Sequence, residues 1–382
     1  MQRVMNKARR EMRSWRLRPG DRATERVAHA ARAVKARTYD KSRWSNLTAR
    51  SLAGIEACKP VYRPTNFWSM GLDPLLKDLE GGLHRFKRWQ SASVWFYPIY
   101  SRGFTNTTIK QTYEFAKTQN DRTTLPFMTN ALNGALDARR DYDAACLAWD
   151  QERWPFDLVN FGESTVGEPR EYYRESGLPD VGFGRPYLNY LMMMAALSRH
   201  VDTPPRSVLE IGGGFGVLGE IFMSRDPQAR YVDVDIPPLL TVASYYLTEL
   251  FGSDRVKIFD ESVADEGPID VPQSGVLPNW RIEDITGEFD LFVNAFSFQE
   301  MEPDVVAHYV AVVAAKNPKY VVSLNSKLGK PVAKKEKEWG VMEQVTSSMI
   351  AEMFGKHGYK VLGRYGRPLI LSAGELVVMG RD

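Results

Sequence analysis

"VLEIGGGFGVLGEIF", residues 208–222, crowds four glycines into the five positions 212–216, with Glu210 just before them and an apolar run just after. A glycine in a regular element costs about 1 kcal/mol relative to alanine. The cluster therefore marks a bend where the backbone needs positive φ or the close approach of another group. Apolar "SVLEI" (207–211) before it reads as a strand and "VLGEIFMSR" after it as a helix.

Outward from this turn the pattern repeats. "RYVDVDI" (230–236) is a second strand, followed by Pro237-Pro238 and the helix "LLTVASYYLTELFG". "RVKIF" (255–259) and "SGVLPNWRI" (274–282) are two further strand candidates. "FDLFVNAFSF" (289–298) precedes the helix "PDVVAHYVAVVAAK", and "KYVVSLNS" (319–326) follows it. The chain ends with helix "TSSMIAEMFGKHG" and strands "YKVLGRY" and "GELVVMGRD". Apolar strands alternating with helices imply a parallel sheet covered on both faces. The short connection between the last two strands makes at least one of them antiparallel. The fold class is α/β, a Rossmann-like sheet preceded by a mainly helical region over 45–160. Residues 161–185, rich in Gly, Pro and charge, read as a long connection of the lid or linker type.

Composition bounds the rest. The 382 residues are 43% hydrophobic and 25% charged, enough for two domains and a large core. Charge is uneven: residues 1–44 carry fourteen Lys/Arg against four acids, a local +10, so a total of +3 leaves −7 for residues 45–382. The basic character belongs to an N-terminal arm, which suits an anionic membrane surface or nucleic acid, or a solvated tail. The organisation read from these shifts is an arm (1–44), a helical cap with its linker (45–185) and a sheet domain (186–382). Cys58 and Cys146 fit neither a disulfide framework nor a metal spacing. The N-terminus lacks the apolar core of a secretory signal, and "YLMMMAAL" (190–197) is too short to span a bilayer. A cytoplasmic location is expected.

Two cofactors compete for the glycine turn. Gly214-Phe215-Gly216-Val217-Leu218-Gly219 is a literal GxGxxG match, the dinucleotide fingerprint, but it begins two residues beyond the strand. The other pattern, Glu210-x-Gly212-x-Gly214-x-Gly216, sets a carboxylate at the strand end, which repels a pyrophosphate and helps hold a cationic ligand such as S-adenosyl-L-methionine (SAM). "VLEIGGGFG" with "VDVDIPP" resembles the class I SAM-dependent methyltransferases. The longer run "VLEIGGGFG…YVDVDIPPLL…YYL…FDLFVNAFSFQEM", with upstream Phe67-Trp68 and Phe86-Lys87, is similar to the sugar O-methyltransferases of bacterial glycan and natural-product clusters. The likeness covers about residues 65–380.

The resemblance implies a mostly parallel seven-stranded sheet with an antiparallel C-terminal strand, and SAM as cofactor. Glu210, Gly212, Gly214 and Gly216 would cradle its amino-acid part and ribose. Asp235, ending the second strand, would accept both ribose hydroxyls, with Asp233 as its rival. The adenine contact follows the third strand and stays open between Asp260 and the pair Asn279-Trp280.

Methyl transfer to a hydroxyl needs collinear oxygen, carbon and sulfur and a base for the departing proton. "NAFSFQEM", Asn294 to Met301, stands where the resemblance places reactive groups. Glu300 is the expected base or acceptor contact, its alternative being a cap on the following helix. Gln299 would orient an acceptor hydroxyl, Asn294 would face the cofactor, and His308 lies one to two turns into the next helix. Asn325 is a further polar candidate, while His357 is explained by its helix end. No metal ligands are named, although a divalent ion remains compatible with such enzymes. The expected acceptor is a sugar, nucleotide-sugar or glycan, and a homo-oligomer is possible. The aromatic stretch "SVWFYPIYSRGF" (93–104) and Tyr172-Tyr173 are candidates to face a sugar ring. Two readings stay open beside this one: a nucleic-acid-associated methyltransferase or binding protein using the basic arm, and a nicotinamide-dependent oxidoreductase.

Overall fold

The computed structural model describes residues 40–101, 107–119, 125, 129, 133–150, 152–154, 162–174, 181–366, 370 and 374–381. The basic arm lies outside these up to residue 39.

The strands are β1 (Ser207–Ile211), β2 (Arg230–Asp235), β3 (Val256–Ile258), β4 (Ser274–Pro278), β5 (Leu291–Ala295), β6 (Tyr320–Ser326), β7 (Lys360–Tyr365) and β8 (Gly374–Gly380). They form one sheet in the order β3-β4-β2-β1-β5-β6-β8-β7. Pairing is parallel from β3 through β6 and antiparallel for β6/β8 and β8/β7. This is the Rossmann-like class expected, with one strand more than seven. The extra one arises because both candidates after β2 enter the sheet. β4 pairs with β2 from Tyr231↔Ser274 to Asp235↔Pro278, and three-residue β3 is pushed to the edge. Strand order reverses at β1, whose neighbours are β2 and β5; in such sheets a crevice opens there beyond the carboxyl ends.

The longer described helices are α1 (Lys41–Ala57), α2 (Leu72–Glu80), α3 (Thr107–Thr118), α4 (Ala135–Ala148), α5 (Arg185–Ser198), α6 (Val217–Arg225), α7 (Leu239–Phe251), α8 (Pro303–Ala315) and α9 (Ser347–Gly355). α1 starts because Asp40 Oδ1 accepts the Ser42 and Arg43 amides at 3.0 and 3.1 Å. Its buried residues Trp44, Leu47, Thr48, Ser51 and Ile55 recur at helical spacing. They fasten it to α7 through a Thr48–Thr241 hydroxyl pair at 3.0 Å and an edge-on Trp44–Tyr245 contact. α5 is buried all round between α4, α6 and the sheet, which is why "YLMMMAAL" has no polar face.

The connection 161–185 is stapled down where it is described. Tyr173–Arg174 pairs antiparallel with Gly182–Phe183, and Glu163, fully buried, meets the equally buried Lys87 ammonium at 2.7 Å. Lys87 also donates to the Ser164 carbonyl and Glu163 accepts the Gly184 amide, so neither charge is left uncompensated. From Tyr39 onward the chain clusters into one compact unit whose helical part and sheet share a single apolar core. Among the described residues no helix is long and apolar enough to cross a membrane.

Candidate functional site

The glycine turn closes β1 with Gly212, Gly214 and Gly216 all at positive φ (+73°, +68°, +86°). Two positions show what the bare backbone is for. A Cβ on Gly213 would stand 2.7 Å from the Asp233 carboxylate, whose Oδ1 accepts the Gly213 amide at 3.0 Å. A Cβ on Gly214 would make only an ordinary contact, with Phe96 at 3.6 Å, and this residue borders an unfilled space. That space is a cavity of about 260 Å³ at the reversal of strand order. Its floor is residues 211–215, Asp235, Asn279 and 295–297, and Gln299 and Glu300 flank it. Its roof comes from segments 61–65 and 94–98, Trp68, the start of α5 and Lys330.

Asp235 is held by backbone on both oxygens: Gly214 N–H donates to Oδ2 at 3.0 Å and Ile236 N–H to Oδ1 at 2.7 Å. Burial pushes its pKa up to about 7 against those two donors, with the nearby Glu210 and Glu300 charges adding to the rise. Asn279 donates from Nδ2 to the Tyr62 carbonyl at 2.7 Å and to the Tyr309 hydroxyl at 2.8 Å. Its Oδ1 is buried with no partner among the described residues, and the residue itself lines the cavity. Such an atom costs free energy until a donor meets it.

At the other end, Glu300 lies in the single turn Phe298–Glu300 ahead of α8. Its carboxylate pairs with Lys330 Nζ at 2.8 Å, and its carbonyl accepts the Thr65 hydroxyl at 2.8 Å. Burial raises Glu300 to about 7; the Lys330 charge and hydrogen bonds from Lys330 and Trp68 work the other way. The backbone before it is strained: Phe296, on the wall, sits at φ +64°, a region that bulky residues rarely enter outside functional sites. Gln299 is on the wall, with Oε1 accepting the Ser326 amide at 2.5 Å.

The structure thus brings Gly212, Gly214, Asp235, Asn279, Gln299 and Glu300 to one cavity, and sets the other candidates elsewhere. Glu210 is behind the turn, its oxygens taken by the Tyr190 and Tyr231 hydroxyls at 2.6 and 2.5 Å. Gly216 packs against Leu247 and Gly219 against Tyr231, which gives the GxGxxG match a packing cause. Asp260 follows edge strand β3 and caps its own turn at Ser262; Trp280 packs on Phe259 and over Gly54. Asn294 is wholly buried, tying the Ile211 carbonyl to Ser297, and Asn325 bonds to it in turn. His308 stands behind Tyr62, Nε2 to hydroxyl 2.9 Å. Val94, Trp95 and Phe96 of the aromatic stretch are on the wall, whereas Tyr172 and Tyr173 are spent on the Glu163 and Asn133 carbonyls. Lys330, Arg63, Arg185 and Trp68 were not foreseen; only the last carried a signal, in the Phe67-Trp68 pair. Among the described residues no group of three or more His, Cys, Asp or Glu is placed to hold a metal ion.

No protein-family model and no curated protein matches the chain. Solved structures do. The mitomycin 7-O-methyltransferase MmcR is 13% identical over 90% of this chain and 74% of that one, with a TM-score of 0.35. The magnesium protoporphyrin IX methyltransferase ChlM from Synechocystis PCC 6803, solved with bound SAM, is 10% identical over 51% and 77%, TM-score 0.35. The pyocyanin biosynthetic protein PhzM is 15% identical over 52% of this chain, which spans 59% of its length, TM-score 0.33. At such identities and scores these are likenesses only, and the architecture stands on the strand order and register above.

Proposed function

We propose that the chain is a SAM-dependent O-methyltransferase acting on a small-molecule hydroxyl, with a sugar or glycan hydroxyl as the acceptor. The observation that carries this reading is the arrangement around one cavity of Gly214, a buried strand-end carboxylate at Asp235, and Asn279, whose Oδ1 has no partner among the described residues. Those donors and acceptors fit a nucleoside. Asp235 has lone pairs left for two vicinal hydroxyls, and Asn279 Oδ1 offers an acceptor to an exocyclic amine. The floor is acidic, which favours a cationic ligand and opposes a pyrophosphate.

When bound, SAM supplies an electrophilic methyl on a positively charged sulfur, and its loss as a neutral thioether drives the displacement. The chain's own residues do the rest. Gly212 to Phe215 and Asp235 hold the nucleoside against the strand ends, and the roof excludes water from the reacting atoms. Glu300 takes the acceptor's proton; a carboxylate raised to about 7 is matched to that task near neutral pH. Lys330 holds the carboxylate in place. Trp68 and Trp95 offer ring faces to a flat or sugar-like acceptor.

The test is calorimetric titration of the full chain with SAM and its demethylated product, SAH, followed by transfer of labelled methyl to a panel of sugars and nucleotide-sugars. Micromolar binding of both is expected; binding of reduced nicotinamide dinucleotide with no binding of SAM would overturn the reading.

A further inference from the structure

We infer that the roof of the cavity is an anion-binding subsite built on Arg63 and Arg185, and that the acceptor carries a phosphate or carboxylate group. This rests on the methyltransferase reading, and it narrows the acceptor to a chemical class.

The cavity is polarised. Of the charged groups on its wall, Asp235 and Glu300 belong to the floor and its flank, with Glu210 and Asp233 buried behind, whereas Arg63, Arg185 and Lys330 come from three separate roof segments. Lys330 is committed to Glu300 at 2.8 Å. The two arginines are not so committed. Arg63 spends Nη2 on the Glu56 carbonyl at 2.9 Å and stands beside the Cys58 thiol. Arg185 spends Nη1 on the Ile99 carbonyl at 3.1 Å and lies over the Tyr100 ring, 5.3 Å from its centroid. Among the described residues neither forms an ion pair with a carboxylate. Asp141, bonded to the Tyr100 hydroxyl, feels the Arg185 charge from beyond ion-pair distance. Each guanidinium keeps donors of the planar fork that grips phosphate or carboxylate.

A further polar side chain lines the same space. Arg185 is the first residue of the fourteen-residue α5, whose N-cap Gly184 supplies no side-chain cap. That end already meets a carboxylate, because the buried Glu163 accepts the Gly184 amide at 2.6 Å, so what α5 gives the cavity is side chains: Arg185, Pro186 and Asn189 line it. Asn189 adds an amide whose donors have no partner among the described residues. Two guanidinium forks and an amide line a space that a neutral acceptor would leave uncompensated. A cationic cofactor on the floor increases the positive charge that the acceptor meets.

The experiment titrates the full chain, first with SAH and then, SAH-loaded, with glucose, glucose 6-phosphate, glucuronate, inorganic pyrophosphate and UDP-glucose, following the quenching of tryptophan fluorescence from the wall. At least one anionic probe is expected to bind about tenfold or more tightly than glucose. Arg63→Ala and Arg185→Lys (the latter keeping charge and fold while losing the fork) should each weaken that probe about fivefold and leave SAH affinity within about twofold. Whether the phosphates or glucuronate respond identifies which anion the subsite takes. The inference fails if no anion outbinds glucose, or if the preferred anion ignores both variants. It also fails if either variant costs SAH about tenfold, because the guanidinium then serves the cofactor's own carboxylate. If SAH does not bind the unmodified chain, the function reading falls alone, and the anion arms are read on the ligand-free protein.

Discussion

The floor and the roof of the cavity are built by different means. At the floor the carboxylates are fixed by main chain, Asp235 by two amides and, behind it, Asp233 by the Gly213 amide, with Asn294 held by the Ile211 carbonyl. Asn279, by contrast, reaches to the Tyr62 carbonyl of the roof and the Tyr309 hydroxyl. The roof hangs from isolated side-chain ties across long sequence separations. The Thr65 hydroxyl reaches the Glu300 carbonyl, and Asn66 donates to the Glu338 and Gly340 carbonyls at 3.0 and 2.8 Å and accepts the Lys337 amide. A ligand part common to many reactions suits a floor whose positions are locked in the sheet. A part that differs from one substrate to the next suits a roof whose residues change without disturbing the strands. Glu300 stands at the seam, with its backbone anchored to the roof and its carboxylate to Lys330.

The sharpest break between floor and roof is at that seam. Glu300→Gln keeps the size and the hydrogen-bonding oxygen but cannot take a proton. Turnover should fall by about 10²- to 10⁴-fold, the usual worth of a general base, while SAH affinity stays within a few-fold. Unchanged turnover in a methyl-transfer assay would reassign Glu300 to holding the turn before α8.

Asp235→Ala tests the floor by itself. Hydrogen bonds to a charged group contribute about 1.5–3 kcal/mol, so SAH affinity should fall by about tenfold to a few hundredfold in calorimetry. The two amides left without an acceptor add to the loss, so Asp235→Asn separates the effects: it keeps an acceptor for one amide and loses the charge. Comparable losses in both variants tie the effect to the carboxylate. A floor indifferent to both substitutions holds no vicinal hydroxyls.

The same contrast explains what could be read in advance. The floor is local in sequence: the glycine turn directly follows its strand, and Asp235 ends the next one. The glycine turn is legible in its own residues, whereas Asp235, which shares a strand face with its rival Asp233, is placed beside it by the family resemblance. Glu210 resisted because its neighbours, Tyr190 and Tyr231, are twenty and twenty-one residues away, and only their position shows that it is satisfied from behind. The choice between Asp260 and Asn279 was not local at all. Both follow a strand, and which strand lies beside β2 is decided by pairing. The roof cations were hidden in segments that read as solvated charge. "KLGKPVAKKEKEWG" (327–340) gives no sign that Lys330, among its five lysines, turns inward to meet Glu300 and lie over the Phe67 ring.

The smallest expected effect is the one that couples the two halves. Glu300 must be deprotonated to accept a proton, so kcat/KM should fall as pH drops through its pKa of about 7. Burial raises that pKa and the Lys330 charge holds it down. Removing the charge therefore moves the acid limb of the profile upward. For Lys330→Met, kcat/KM at pH 7 should drop a few-fold and recover by pH 9, where Glu300 is ionised in either protein, with SAH affinity unchanged. A role for Lys330 confined to packing over Phe67 would lower activity equally at both pH values. An acid limb that stays at the same pH after the substitution would mean that the group titrating near 7 is one of the carboxylates at or behind the floor, Asp235 or Glu210, both of which burial raises to that range, and the seam would then belong to the floor.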